Sequence, residues 1–177
     1  DGVNQTTKIR HSSWREFDFW SSDYKTIYSY DELGNVLTET NYWGNFDGWI
    51  ERSRNEYKYD FFGNQTLIAE YWWDYQLNDW IGRNKQEYSY DSAGNKTLDS
   101  NYRWDKELRD WIGGHKNSST FDKNGNKIFH TLYSWNSQIN DWVNASTSSF
   151  IFNESGNVSK RIYNKWDTNH GILTQKT

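Results

Sequence analysis

Residues 88–111 read YSYDSAGNKTLDSNYRWDKELRDW and contain two turn signals. The first is the segment 91–95, in which the Asp side chain can cap a type I turn and the Gly accepts the positive φ that follows. The second is the polar segment between Trp104 and Trp111. Polar and aromatic residues alternate between the two signals. This pattern indicates antiparallel strands joined by short turns.

The same unit recurs along the chain. A Gly-Asn pair is found at spacings of 29, 31, 31 and 31 residues, at Gly34-Asn35, Gly63-Asn64, Gly94-Asn95, Gly125-Asn126 and Gly156-Asn157. A Trp recurs every 31 residues, at Trp49, Trp80, Trp111 and Trp142. We therefore predict one repeat domain over 1–177, with a half unit 1–31, units 32–60, 61–91, 92–122 and 123–153, and a partial unit 154–177.

Each unit supplies two strands, so the sequence predicts an all-β fold. We expect an antiparallel up-and-down meander of about 11–12 strands, from near Thr6–Trp14 to Val158–Trp166 or Ile172–Thr177. Strict alternation would place the aromatic residues on one face of this sheet and charged residues on the other. Because nothing else remains to cover the aromatic face, we expect the sheet to curl into a barrel with an aromatic interior; the alternative is an open, spiralling single sheet.

Composition excludes several kinds of site and partner. The 177 residues include 12 Trp and 13 Tyr but no Cys, which removes thiol nucleophiles and thiolate metal sites. The 20 basic and 24 acidic residues give no electrostatic footprint for nucleic acid or for an anionic membrane. No apolar run reaches the roughly 18 residues of a membrane helix. We expect no metal, no cofactor, no nucleic-acid partner and no membrane insertion.

Catalytic motifs are missing from the sequence as well. No nucleophile elbow, zinc-binding helix or phosphate loop occurs. A glycosidase needs two carboxylates at a defined separation, one of them with a raised pKa, whereas the acids here recur in every unit. The sequence therefore predicts a protein that is not an enzyme.

The recurring Trp residues are the candidate ligand-binding side chains. Indole rings stack on the apolar faces of sugars, and neighbouring polar groups can bind the hydroxyls. The candidate set comprises Trp43, Trp49, Trp73, Trp80, Trp104, Trp111, Trp135 and Trp142, with the acids Asp79, Asp110 and Asp141, and with Trp72. The alternative is that the rings are simply core. Strict alternation further predicts that Trp72, Tyr75, Phe46 and Phe62 face solvent.

Basic residues recur in corresponding places on adjacent predicted strands. They are Arg52, Arg54, Arg83, Lys85 and Lys116. A ladder of such charges could bind a sulfated or uronic polymer through charge-assisted hydrogen bonds. The alternative is a solvated face whose charges are balanced by nearby Glu residues.

Two resemblances bear on these predictions. The segments Tyr30-Asp31-x-x-Gly34-Asn35, Tyr59-Asp60-x-x-Gly63-Asn64 and Tyr90-Asp91-x-x-Gly94-Asn95 resemble the YD repeats of Rhs-type toxins and teneurins, which implies a continuous spiral β-sheet. The whole 31-residue unit is similar to the Trp/Tyr-rich tandem repeats of secreted bacterial surface proteins, some of them carried on polysaccharide-degrading enzymes. This second likeness implies an extracellular or cell-surface location.

These observations predict a non-catalytic carbohydrate-binding module. Recurring equivalent sites on one scaffold would make it multivalent and would add avidity for a polysaccharide, including an anionic one. The alternative is a structural or adhesive YD-like repeat scaffold that binds protein partners.

Overall fold

A computed structural model of the chain describes residues 4–11, 23–45, 48–167 and 172–176. The regular structure in these ranges consists of strands alone. The twelve strands are β1 (Asn4–His11), β2 (Asp23–Tyr30), β3 (Val36–Asn45), β4 (Gly48–Tyr59), β5 (Gln65–Asp74), β6 (Asp79–Tyr90), β7 (Lys96–Asp105), β8 (Asp110–Phe121), β9 (Lys127–Asn136), β10 (Asp141–Phe152), β11 (Val158–Asp167) and β12 (Ile172–Lys176). Within the same ranges no helix is long and apolar enough to cross a membrane.

The strands form one antiparallel sheet in sequence order, which confirms the predicted all-β meander. In the described part of the chain, β1 and β12 are the two ends of this order and do not pair with each other. The sheet is therefore open, as the alternative prediction has it, and the predicted closure into a barrel is wrong. The Trp135 and Trp142 rings lie over Gly113 of β8, so these rings are half-buried without closure of the sheet.

The hairpin turns follow from the Asp-x-x-Gly-Asn signal. In the third turn, the Gly94 N–H donates to the Asp91 carbonyl at 3.0 Å, and Gly94 has a φ of 82°. The Asp91 carboxylate accepts the backbone N–H groups of Ala93 and Asn95 at 3.0 and 2.9 Å. The Asn95 side-chain amide also donates to this carboxylate and is the largest cause that lowers the Asp91 pKa from its ordinary value. Turn capping thus accounts for the recurring Asp.

The long strands contain a β-bulge that the sequence did not predict. In β4, Glu51 lies opposite Tyr42 and Ser53 lies opposite Asn41, so that Arg52 is the extra residue. In β10 the extra residue is Ala145, which stands at the same place in its repeat. Each bulge interrupts the alternation of side chains along its strand, so strict alternation assigned half of each long strand to the wrong face.

The strand register defines the two faces of the sheet, because directly paired residues project to the same side. The indole face carries Trp49, Glu51, Arg54 and, by pairing, Tyr42 and Tyr71. The groove face carries Ser53 and Asn55, together with their partners Asn41, Trp72 and Glu70. Trp43 also belongs to the groove face, since it is two residues from Asn41.

Small side chains make up the buried interior. Among the described residues, Ala69 is the buried hydrophobic residue, and the buried polar residues are Ser29, Ser100, Ser119, Thr131, Ser146 and Ser148. Large rings on neighbouring strands are half-buried, as Trp73 and Tyr71 are. The stabilising apolar area therefore comes from rings that lie on the sheet, each of which can bury on the order of 150–250 Å².

The chain divides into two compact units. The first unit is Asp1–Lys85 with Lys106–Asp110, and the second unit is Gln86–Asp105 with Trp111–Thr177. The site is described below for each unit separately. The assignment of residues 1–177 to a single repeat domain stays a prediction.

Candidate functional site

The paired Trp residues that flank the polar loops contact each other edge to face. Their ring centroids are 5.2 Å apart for Trp73 and Trp80, 5.1 Å for Trp104 and Trp111, and 5.1 Å for Trp135 and Trp142. Trp135 lies directly opposite Trp142 in the register of β9 and β10. The interplanar angles of 77–82° are those that aromatic pairs prefer. All six indoles are half-buried, so each pair is part of the packing of its own strands.

In the second unit, one of these pairs packs on a glycine. A Cβ atom added to Gly113 would overlap the rings of Trp135 and Trp142. The Trp142 ring also lies 5.8 Å from the Tyr102 ring and 5.6 Å from the Lys116 ammonium. Much of the Trp142 surface is thus used within the protein. The alternative that these rings are core describes the indole face better than an exposed platform does.

The acids next to the Trp pairs serve the turns. Asp79 accepts the backbone N–H of Trp80 at 2.8 Å and forms an exposed ion pair with Arg109 at 2.9 Å. Asp141 accepts the backbone N–H of Trp142 at 2.6 Å, and Asp110 is exposed. Local hydrogen bonds therefore account for two of the three predicted acids.

Trp43 and Trp49 do not form such a pair. The first repeat is two residues shorter in this loop, so Gly44 lies opposite Trp49 in place of a second Trp. Trp43 lies opposite Ile50 and Tyr24 on the groove face, and its ring centroid is 6.1 Å from that of Tyr24. Its counterpart in the next repeat is thus Trp72 rather than Trp73.

A groove in the first unit combines aromatic, basic and amide side chains. The arginine–tryptophan groove is the cavity of about 390 Å³ that is lined on the groove face by Tyr24, Asn41, Arg52, Ser53, Trp72 and Arg83. Trp43 borders it. Tyr24, Trp43 and Trp72 are 37%, 41% and 48% exposed, which is high for large rings. These rings are the accessible aromatic surface of the groove.

Both arginines of the groove stack on indole rings. The Arg52 guanidinium carbon lies 4.3 Å from the ring centroid of Trp43, and that of Arg83 lies 5.2 Å from the centroid of Trp72. These are cation–π distances, at which the ring attracts the guanidinium. Arg52 reaches Trp43 because it is the bulge residue and thus joins Ser53 on the groove face.

The floor of the groove is polar. Thr26 Oγ1 donates to Asn41 Oδ1 at 2.8 Å, and Asn41 Nδ2 donates to Ser53 Oγ at 3.3 Å. Ser53 in turn lies opposite Trp72 in the register. Glu70 adds a carboxylate 3.8 Å from Arg83. Hydroxyl and amide groups are therefore held beside the indoles, where a ligand with both apolar and polar edges would contact each.

The predicted basic ladder does not exist as one row. Arg54 projects to the indole face, where it pairs with Glu56 at 2.8 Å, and Lys116 lies over the Tyr133 ring at 4.9 Å. Arg52 and Arg83 lie in the groove. The bulge in β4 separates Arg52 from Arg54, because it breaks the alternation that would have put them together.

The predicted exposure of rings is confirmed where it falls on described residues. Trp72, Tyr75 and Phe62 are exposed, while Phe46 lies outside the described residues. Sequence reasoning missed Tyr24 and Asn41, and it named Arg52 as a member of a basic ladder without placing it over Trp43. The bulge that places Arg52 on the groove face has no distinctive motif in the sequence and is visible in the register of β3 and β4.

Burial also affects the tyrosines of the first unit. Burial raises the pKa of Tyr71 and of Tyr42, and the carboxylates of Glu56 and Glu51 raise them further. Both phenols therefore stay neutral and can donate a hydrogen bond at physiological pH. They lie on the indole face, on the other side of the sheet from the groove.

The chain matches no known protein family and no curated protein. Among solved structures, it is similar to a DUF3836 family protein from Bacteroides vulgatus at 18% identity, over 61% of this chain and 90% of that one, with a TM-score of 0.39. A protein of unknown function from Bacteroides fragilis is 19% identical over 80% and 91%, with a TM-score of 0.43. A TcdB2-TccC3 structure is 16% identical over 86% of this chain and 10% of that one, with a TM-score of 0.36. The chain is an all-β, repeat-like protein, and these similarities assign it to no repeat family.

Proposed function

We propose that the chain is a non-catalytic carbohydrate-binding module that holds a polysaccharide in the arginine–tryptophan groove of the first unit. One observation supports this proposal above the others. Two exposed indoles, Trp43 and Trp72, stand beside a hydrogen-bonded row of Thr26, Asn41 and Ser53. A sugar presents an apolar ring face and a rim of hydroxyls, and these two features match the two surfaces.

The spacing of the indoles favours a polymer. Trp43 is in β3 and Trp72 is in β5, two strands apart in the sheet. Neighbouring strands are about 4.8 Å apart, so the two backbones are roughly 10 Å apart. A groove that is open along this direction can bind successive sugar rings of one chain, and it does not need to enclose a small ligand.

The proposal includes the absence of catalysis and an extracellular location. The charged groups near the groove form ion pairs or cation–π contacts, as Glu70 with Arg83 and Arg52 with Trp43 do. Such contacts suit recognition. The likeness of the 31-residue unit to secreted bacterial repeats supports a role outside the cell, including that of an accessory domain on a polysaccharide-degrading enzyme.

The groove differs from the multivalent arrangement expected from the repeats. Among the described residues, stacked Arg and exposed Trp side chains occur together in the first unit, at Arg52 with Trp43 and at Arg83 with Trp72. We therefore propose one extended site in place of an equivalent site in every repeat.

Tryptophan fluorescence and affinity electrophoresis on a panel of neutral and acidic polysaccharides test this function. We expect retention on at least one polymer, and we expect Trp72→Ala to weaken it by roughly tenfold, which is the effect of losing about 1.4 kcal/mol. Phe62→Ala is the matched control, because this exposed ring lies in a turn outside the groove. Absence of retention on every polymer, or equal weakening by both variants, would contradict the proposal.

A structural or adhesive repeat scaffold that binds a protein is the second candidate. The edge-to-face Trp pairs favour it, because they pack on their own sheet and need no ligand. The resemblance of the Tyr-Asp-x-x-Gly-Asn segments to YD repeats supports the same candidate. A scaffold would leave the polysaccharide panel unbound and would keep its fluorescence spectrum unchanged throughout the titration.

A further inference from the structure

We propose that the arginine–tryptophan groove selects acidic polysaccharides, whose uronate carboxylates bind the guanidinium groups of Arg52 and Arg83. This inference rests on the function proposed above and names its substrate class. It follows from three features of the groove: its charge, the stacking of its arginines, and the order of its side chains across the sheet.

The groove contains two arginines on a chain whose net charge is −4. Arg52 and Arg83 line it on the groove face together with the Glu70 carboxylate, whereas the Lys25 ammonium lies over the Tyr42 and Trp49 rings of the indole face. Glu70 Oε2 is 3.8 Å from Arg83 Nη1, which is at the long end of ion-pair distances. An incoming carboxylate therefore meets two guanidinium groups, and the Arg83 guanidinium is held only at a long distance by Glu70.

Stacking prepares the arginines for a planar anion. A guanidinium that lies flat on an indole directs its N–H groups outward along its edge. Arg52 and Arg83 lie over the Trp43 and Trp72 rings at distances at which such an arrangement is possible. The N–H edge matches a carboxylate and binds it through two parallel hydrogen bonds. The ring limits the rotation of the arginine, which reduces the entropy lost on binding.

The order of side chains across the sheet fits a uronic polymer. Trp43, Arg52, Trp72 and Arg83 come from β3, β4, β5 and β6, four consecutive strands of the sheet order. Indole and guanidinium groups thus alternate across the sheet, and each arginine is about 10 Å from the next along the strand-to-strand direction. A chain that carries one carboxylate on each sugar can stack rings on the indoles and place acids on the arginines.

Densely charged polymers fit this groove less well. Glu70 lines it, and Glu39 lies beside the floor, with its carboxylate 3.4 Å from Asn41 Nδ2. These two carboxylates offset the two arginines and repel a polymer with several charges per unit. We therefore favour uronates over sulfated glycans and over single-stranded nucleic acid.

The test compares polymers that differ only in charge. Polygalacturonate and its methyl-esterified form share one backbone, and the ester removes the negative charge. Alginate and hyaluronate, with carboxyl-reduced forms of each, extend the panel to other uronates. We expect the unmodified acidic polymers to be retained at least tenfold more strongly than the neutral forms, and we expect this advantage to shrink as NaCl rises.

A double arginine variant tests whether Arg52 and Arg83 cause the preference for acidic polymers. Arg52→Gln with Arg83→Gln should abolish the tenfold preference for the acidic forms, measured as the ratio of acidic to neutral retention of the same variant. Arg103→Gln is the matched control, because this exposed arginine is in the second unit and should leave the preference intact. Circular dichroism verifies that each variant is folded.

The outcomes separate the inference from the function. Equal binding of acidic and neutral forms, or a preference that survives in the double variant, overturns the inference and leaves carbohydrate binding standing. Binding to none of the polymers overturns both. Stronger retention of heparin or of single-stranded DNA than of every uronate overturns the inference in favour of a general polyanion site.

Discussion

The two units differ at the places where the groove lies in the first. Positions 31 residues apart are equivalent, so Trp72 in the first unit corresponds to Arg103, Ser134 and Lys165 in the second. The bulge residues Arg52 and Arg83 likewise correspond to Gly114 and Ala145. Turns and edge-to-face Trp pairs are maintained in both units. The turns and Trp pairs thus recur in both units, while the arginines and exposed indoles of the groove recur within the first unit and are replaced in the second.

This difference separates two kinds of aromatic residue. The Trp pairs of the indole face pack against small neighbours such as Gly113 and contribute to stability in each unit. Trp43 and Trp72 cover no such glycine among the described contacts and remain nearly half exposed. The shared scaffold therefore does not determine the site, which depends on the side chains present at that place.

Transfer of the groove to the second unit is expected to have the largest effect. Arg103→Trp with Gly114→Arg restores an indole and a bulge arginine at equivalent positions. A Cβ at 114 would lie 2.7 Å from Asn101 Oδ1, the end of a flexible side chain that can move. We expect the double variant to bind two oligosaccharides per chain instead of one, as measured by titration calorimetry. Unchanged stoichiometry in a folded variant would contradict this, and Arg103→Trp alone is the control.

Overpacking beneath a Trp pair is expected to have the next largest effect. Gly113→Ala puts a methyl group where the Trp135 and Trp142 rings lie, so the pair must shift. We expect a loss of about 1–3 kcal/mol in the free energy of unfolding, together with a changed near-ultraviolet circular dichroism spectrum. Glu51→Ala, at the equivalent place in the first unit, already has a Cβ and should cost less. A larger loss for Glu51→Ala would mean that the two units pack differently there.

A turn glycine should matter less than the glycine beneath the Trp pair. Gly94 has a φ of 82° and no neighbour within 4 Å of an added Cβ, so a substitution there costs backbone strain alone. We expect Gly94→Ala to lower the free energy of unfolding by about 1–2 kcal/mol, and Gly94→Asn by less, because Asn tolerates positive φ. Gly34→Ala in the first unit should match Gly94→Ala in denaturant unfolding. Equal stability of all variants and the parent chain would argue against this turn assignment.

The smallest expected effect is a pH dependence of the turns in both units. Side-chain hydrogen bonds from Asn64 and Asn126 are the largest causes that lower the pKa of Asp60 and of Asp122 below their ordinary 3.8, and backbone N–H groups add to them. Because the folded pKa is the lower one, the ionised turn is fully stabilising above the unfolded pKa, and this contribution is lost as the pH falls through the folded value.

The fifth turn supplies the natural comparison for this pH effect. Asn153 occupies the Asp position and accepts the N–H of Asn157 at 2.9 Å without a titrating group. We expect the variant Asp60→Asn, Asp91→Asn, Asp122→Asn to lose less melting temperature between pH 6 and pH 3 than the parent chain does. An identical pH profile for the variant would mean that these turns do not titrate on folding.

The fold could be predicted to a large extent because its signals are local. Asp91, Gly94 and Asn95 specify a turn from adjacent residues, and a loop of fixed length brings Trp104 to Trp111. The sequence could not distinguish an open sheet from a closed one. The alternation of residues along each strand indicates how neighbouring strands pair, but it does not indicate whether the first and last strands pair with each other. Closure depends on contacts between residues that are far apart in the sequence.

The groove could be predicted in part. Trp72 stood out as a ring outside the inward register, and it is exposed. Arg52 could not be placed beside Trp43, because a bulge adds one residue without a distinctive motif, and a slip of one residue moves every later side chain to the other face. The pairing of Gly44 with Trp49 depended on the loop deletion, which the Gly-Asn spacing located only between Gly34 and Trp49.

Pairing of each strand with its sequence neighbours has a consequence for folding kinetics. Contacts between adjacent strands close short loops, so the contact order is low for a β-protein, and low contact order is associated with fast folding. The chain has no proline, so prolyl isomerisation adds no slow phase. Hairpins can form locally and then extend from one repeat to the next, as in other linear arrays. Loss or gain of one 31-residue unit by recombination would then leave the remaining hairpins able to fold in the same manner.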